Sequence, residues 1–210
     1  MPVTVARLAI GAGLVTALAA GLALYGTGSI GGNGAGPCAP SGAALARVAA
    51  ASRGDVAAMQ APEKPRPAPD IAFKGPDGTE MRLADLRGKL LLVNLWATWC
   101  APCKAEMPAL DRLQGALGGA DFAVVAINLD TRNVDKPPLW MTENGIAKLA
   151  YYADPGGRVL PAIQRDTGST GLPTTMLIDA AGCTVGVMKG PAEWSGDDGR
   201  NLILAALGRS

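Results

Sequence analysis

Leu90-Leu91-Leu92-Val93-Asn94-Leu95-Trp96-Ala97-Thr98-Trp99-Cys100-Ala101-Pro102-Cys103 is the stretch that decides the fold. Its first seven residues form a short, almost wholly apolar run, which reads as a buried central strand, Leu90 to Trp96. After the cysteines, Leu110, Leu113 and Leu117 recur at helical spacing. A strand that delivers Cys-x-x-Cys to the first turn of a helix puts both sulfurs on one helix face, close enough to close a small disulfide. The orphan amides and the positive end of the helix dipole favour a thiolate on the first cysteine, Cys100. The pattern points to thiol–disulfide chemistry.

Composition narrows the alternatives. The chain has 210 residues, 19 basic and 18 acidic, for a net charge of +1. That balance leaves no electrostatic footprint for nucleic acid, and no nucleic-acid partner is expected. There is no histidine, which excludes Ser–His and Cys–His nucleophilic sites and removes the commonest zinc and copper ligand. The four cysteines are Cys38, Cys100, Cys103 and Cys183. An even count behind an export-like N-terminus fits an oxidising compartment.

The N-terminus is apolar. Leu8 to Tyr25 holds eighteen residues without a charge, and none follows Arg7 until Arg47. Residues 1–25 are read as a transmembrane anchor, or as a signal segment cleaved after Ala17-Leu18-Ala19. Arg7 and the free amino terminus favour a cytoplasmic N-terminus, so both readings export the rest. The expected location is the inner membrane with the catalytic domain in the periplasm, or a soluble periplasmic protein if the segment is cleaved.

Residues 26–69 are read as accessory. Gly26 to Pro37 is a glycine-rich tether with a reach of roughly 18 Å. Ser41 caps a short helix expected over Ala43 to Met59, and Pro62 to Pro69, with four prolines, makes an extended connector. The domain proper is expected over 70–210. Ile71–Phe73 and Met81–Leu83 pair around the turn Gly75-Pro76-Asp77-Gly78, and Phe122 to Leu129 is a further strand. Helices are expected near Pro138–Asn144 and Arg158–Gln164. Thr174–Ile178 and Cys183–Met188 form a hairpin around Asp179-Ala180-Ala181-Gly182, and a helix over Asn201–Leu207 closes the chain. This order describes an α/β fold with a mixed central sheet flanked by helices.

Leu91 to Pro108, which includes Trp-Cys-Ala-Pro-Cys, resembles the active-site segment of thioredoxin-fold proteins of the TlpA/ResA type. Gly171-Leu172-Pro173-Thr174-Thr175, with Ile178-Asp179 and Gly182 after it, resembles that family's cis-proline loop and hairpin. The resemblance covers Asp70 to the C-terminus. The apolar N-terminus and the pair Cys38/Cys183 further resemble the alphaproteobacterial TlpA proteins, which are membrane-anchored thiol:disulfide oxidoreductases.

On this basis Cys100 is the candidate nucleophile and Cys103 the residue that resolves the mixed disulfide. Cys-x-x-Cys also opens many zinc sites, but those need two further ligands, and Cys38 and Cys183 are isolated from each other. No metal or other cofactor is expected. The resemblance implies a cis Leu172–Pro173 bond beside Cys100. Asn94 stands where classical thioredoxins keep a buried acid, in agreement with the TlpA/ResA type. Glu106 matches an acid proposed in that subfamily to influence the cysteines, against the plainer reading of a solvated helix glutamate. Pro108 is expected to kink the helix. Trp99, Ala101 and Pro102 surround the sulfurs, and Trp96 is read as core or rim packing. Cys38 and Cys183 are left over, as a structural disulfide that staples the N-terminal segment to the last hairpin or as two free thiols; the disulfide is the expectation.

Direction of electron flow needs its own argument. A strong oxidant needs a very acidic Cys100, and Ala101-Pro102 places no donor between the sulfurs beyond the helix dipole. A reductase of protein disulfides is therefore expected, recharged, as the resemblance implies, by a membrane thiol donor. The resemblance offers two client classes: a copper chaperone or the copper-site subunit of cytochrome oxidase, and the haem-attachment cysteines of apocytochrome c. The extra cysteine pair and long N-terminal segment favour the first. A copper-binding chaperone of the same fold is the alternative of another class; its relatives use Cys-x-x-x-Cys and a distant histidine, and this chain has neither.

Overall fold

The computed structural model describes residues 37–209, together with Met1. The proposed anchor and nearly all of the tether lie outside the described residues. Among those described, no helix is long and apolar enough to cross a membrane.

The strand β4 (Leu90–Trp96) is buried at all seven positions. Side chains alternate across a strand, so Leu90, Leu92 and Trp96 enter one core and Leu91, Val93 and Leu95 the other. Asn94 is thereby committed to the first face. The eight strands are β1 (Arg66–Pro67), β2 (Ala72–Lys74), β3 (Glu80–Arg82), β4, β5 (Phe122–Asn128), β6 (Tyr152–Ala153), β7 (Thr174–Ile178) and β8 (Cys183–Lys189), in the spatial order β1-β8-β7-β4-β5-β6-β2-β3. β4 runs parallel to β5 and antiparallel to β7. The mixed sheet expected from the sequence is present.

Among the described residues, five helices flank it: α1 (Gly42–Ala51), α2 (Ala101–Leu117), α3 (Lys136–Glu143), α4 (Val159–Thr167) and α5 (Asp197–Ala206). Val48 of α1, Met107, Leu110 and Leu113 of α2, Met141 of α3 and Leu202 and Ile203 of α5 fill the first core. Val159 and Ile163 of α4 pack in the second with Ile71, Phe73 and Leu83. Pro108 lies inside α2, which continues to Leu117.

Several boundaries differ from expectation. The helix expected over Ala43–Met59 stops at Ala51. Ser52 turns its hydroxyl back onto the Val48 carbonyl at 2.7 Å, Gly54 adopts φ +54°, and a single 3-10 turn over Gly54–Val56 follows. A hydroxyl that competes for a helical carbonyl, followed by a left-handed glycine, is a helix stop. Ser41 occupies the N-cap, but its hydroxyl makes no capping bond. The first hairpin is shifted by one residue at its outset, pairing Ala72 with Arg82, and α5 begins four residues before Asn201. Strand β1 pairs Arg66–Pro67 with Cys183–Thr184, so the proline-rich connector forms an edge of the sheet. Residues 37–209 belong to one compact unit, which takes in α1 and the connector.

Candidate active site

Chain geometry brings the cysteine loop and the proline loop together. β4 ends at Trp96, and Cys100 is the N-cap of α2 in extended backbone, its sulfur accepting the Cys103 amide at 3.3 Å. Cys100 and Cys103 are bonded, with Cα atoms 5.3 Å apart. Cys100 is 6% exposed and Cys103 fully buried, so of the two cysteines only the first reaches the surface. Ala101 and Pro102 are exposed beside it. Pro102 sits in the first turn, where its missing amide costs nothing because first-turn amides have no intrahelical acceptor.

The Leu172–Pro173 peptide is cis. Thr174, the next residue, begins β7 and pairs with Leu95, so Pro173 stands at the same end of the sheet as the cysteines. Pro173 is buried and Leu172 half-buried. The turn is held by hydroxyls: Thr174 Oγ1 donates to the Gly171 carbonyl at 2.7 Å, and Ser169 Oγ lies 2.5 Å from Thr174 Oγ1.

Glu106 is 3% exposed, so the solvated-glutamate reading is overturned. Asn94 Nδ2 donates to its Oε1 at 2.7 Å; Trp194 Nε1 and the Ala192 amide donate to its Oε2 at 3.1 and 3.2 Å. Burial pushes this carboxyl up to about 7, although all three hydrogen bonds pull the other way. The group lies one helical turn after Cys103, on the same face of α2. Asn94 also donates to Thr175 Oγ1 at 3.0 Å. A carboxyl raised to about 7 is suited to exchange a proton near neutral pH.

Of the two tryptophans, Trp99 is 68% exposed at the site's rim and Trp96 is fully buried in the core, its ring 5.5 Å from that of Trp140. Trp96 is thus packing and not rim.

Sequence reasoning missed Asp130. Its buried carboxylate accepts the Thr98 amide at 2.8 Å and the Thr98 hydroxyl at 2.7 Å, and takes Asn128 Nδ2 at 2.8 Å. These bonds pin the loop between β4 and Cys100. The available signal was a polar pair, Asn128 and Asp130, at the end of an apolar strand. Trp194, Ala192 and Thr175 were also missed; nothing local marks them as partners of a residue so far away in sequence.

Cys38 and Cys183 are bonded, Cα atoms 5.7 Å apart, and both are buried. This bond lies at the turn end of the β7–β8 hairpin, away from the proline loop. Among the described residues no group of three or more Cys, Asp or Glu is arranged to hold a metal ion.

Comparison with known proteins agrees with this geometry. Residues 65–185 match the model of the AhpC/TSA family. The thioredoxin-like protein YneN of Bacillus subtilis is 33% identical over 121 residues, 55% of this chain and 65% of that protein. The thiol-disulfide oxidoreductase ResA of Geobacillus thermodenitrificans is 35% identical over 117 residues, 55% of this chain and 63% of its own. The chain therefore spans just under two thirds of either relative's length. A solved structure from Chlorobium tepidum, described as a thiol:disulfide interchange protein DsbE, superposes with a TM-score of 0.59 at 32% identity, covering 70% of this chain and 99% of that one. The fold is thioredoxin-like.

Proposed function

Because the chain belongs to the AhpC/TSA family of thioredoxin-like proteins, we propose that it is a thiol:disulfide oxidoreductase acting mainly as a reductase of protein disulfides outside the cytoplasm. One observation carries the reading: a barely exposed Cys100 at a helix N-cap, bonded to a fully buried Cys103. That asymmetry gives the sulfurs different roles. In the reduced protein the Cys100 thiolate attacks one sulfur of a substrate disulfide. A mixed disulfide forms, and the other substrate sulfur leaves as a thiolate. The Cys103 thiolate then attacks Cys100 Sγ, which releases the second substrate thiol and leaves the bonded pair. Two electrons pass to the substrate, so a thiol donor must return two. In this reading Glu106, one helical turn after Cys103, takes the Cys103 proton, and Pro173, which has no amide hydrogen, leaves its loop free to line a substrate groove.

For the client, we infer a copper chaperone or oxidase copper-site subunit. The supporting observation is the Cys38–Cys183 bond, the feature on which the resemblance to TlpA proteins was extended. A second reading, reduction of apocytochrome c, is favoured by the likeness to ResA. Trapping with Cys103→Ser tests both, because the mixed disulfide at Cys100 is then left unresolved. Capture of copper chaperones or oxidase subunits supports the first client. Capture of apocytochromes alone moves the assignment to the second. Failure of the wild type to reduce insulin would overturn the reductase reading itself.

A further inference from the structure

At the N-terminal end of β4, opposite the cysteine loop, a cleft of 540 Å³ opens between α1, the end of α5 and the β7–β8 turn, and a second of 410 Å³ lies beside it along α1 and α5. Arg47 and Arg209 line both. Lys89 lines the first and Arg53 the second, against two carboxylates, Asp121 and Asp179. Those carboxylates are occupied. Asp121 pairs with Arg209, and Asp179 Oδ1 accepts the Ala181 and Cys183 amides at 3.1 and 3.0 Å. Among the described residues, Arg47, Arg53 and Lys89 have no carboxylate partner. Arg47 is held in place, its Nε and Nη2 donating to the last carbonyls of α5, Ala205 and Ala206, at 2.7 and 3.1 Å.

A second feature of the cleft is independent of charge. Ser41 lines it with a hydroxyl that is buried and has no hydrogen-bond partner, although a buried polar group without a partner is costly. The described chain also begins here: Pro37 precedes the cleft residue Pro40 by three positions, and Cys38 is fastened to Cys183 just beyond the turn. Pro37, the first described residue of the folded unit, is therefore held near this rim.

We propose that this basic cleft is the face through which the folded unit meets a membrane, taking the phosphates of anionic phospholipid headgroups on Arg47, Arg53 and Lys89. The inference rests on the reading of residues 8–25 as an uncleaved anchor. With that anchor, the tether joins the bilayer to the cleft's own rim, and cations without a carboxylate partner are attracted to an anionic surface. The cysteine loop then faces away from the lipid, since β4 places it roughly 20 Å from Leu90. Protein clients approach from the free side.

The test uses the full chain. Flotation with vesicles after an alkaline wash reports the anchor. The chain is then placed in nanodiscs of phosphatidylglycerol or of phosphatidylcholine, and acylation of each lysine by an amine-reactive ester is followed by mass spectrometry. In phosphatidylglycerol Lys89 reacts at least about threefold more slowly, and about 0.5 M salt or Arg53→Glu restores its rate. Lys104, beside the active loop, reacts equally in both lipids. Equal Lys89 rates in the two lipids, with the chain still floating, overturn the proposal and leave the anchor reading intact. Failure to float overturns both.

Discussion

Glu106 shows how one residue's neighbours set its chemistry. In the unfolded chain its carboxyl has an ordinary value of 4.5, and burial raises it to about 7. A raised acid favours the protonated folded state, so its stabilisation is complete below the unfolded value and is lost as pH rises through the folded one. Between pH 4 and 8 the oxidised wild type should therefore lose about 3 kcal/mol that Glu106→Gln does not lose. Denaturant midpoints of the two proteins across that range measure it, and parallel curves would exclude the burial of a titrating carboxyl. Asp130 supports the loop and touches neither sulfur. Asp130→Ala leaves the Thr98 amide and Asn128 Nδ2 without acceptors, a loss of about 1–3 kcal/mol. Insulin reduction should fall as the Cys100 loop loosens, with a larger rise in KM than fall in kcat.

At the scale of elements, α1 depends on contacts far from it in sequence. Its apolar face rests on β8, where Gly186 leaves room: a β-carbon there would stand 2.7 Å from Met59 Sδ and 3.2 Å from Val48 Cγ1. Gly186→Val should cost about 1–3 kcal/mol by overpacking, read as a lower melting temperature with insulin reduction little changed. The Cys38–Cys183 bond closes a loop over a separation of 145 residues. The chain-entropy estimate for such a loop is about 5 kcal/mol, an upper figure. Cys38→Ser with Cys183→Ser should lower the melting temperature and keep reductase activity, because the bond is at the opposite end of the hairpin from Pro173. Loss of activity in the folded double variant would show that the bond supports the site.

At the scale of the whole molecule, one sheet joins the accessory segment to the cysteine domain. The connector supplies edge strand β1, and Gln60 exchanges backbone hydrogen bonds with Val187 at 2.8 and 2.9 Å. A shared sheet and core predict a single cooperative unfolding transition for residues 37–209, with far-ultraviolet circular dichroism and tryptophan fluorescence coinciding. An earlier, separate loss of α1 helicity would contradict that.

Elements with strong local signals were legible in the sequence. Leu90–Trp96 is apolar on both faces, Asp179–Gly182 is a turn between two apolar runs, and the cysteines sit where a strand meets a helix. The two-residue strands β1 and β6 were not legible, since so short a stretch carries no periodicity. Nor was the stop at Ala51, because Ser52 and Gly54 each have other uses. The surroundings of Glu106 were half legible. Its place after Cys103 is a matter of spacing, while its burial depends on Trp194 and Ala192, 88 and 86 residues onward. By itself, then, the sequence determined the central strand, the reactive pair at a helix start and the hairpin that carries Pro173, because each follows from side-chain pattern within a few residues. Only the tertiary structure decided that Glu106 is a buried acid near neutrality, that Asp130 clamps the active loop and that Arg47 of α1, Lys89 before β4 and Arg209 beyond α5 converge on one cleft. Those properties arise from desolvation and hydrogen bonds between distant segments, and these exist only once the chain has packed.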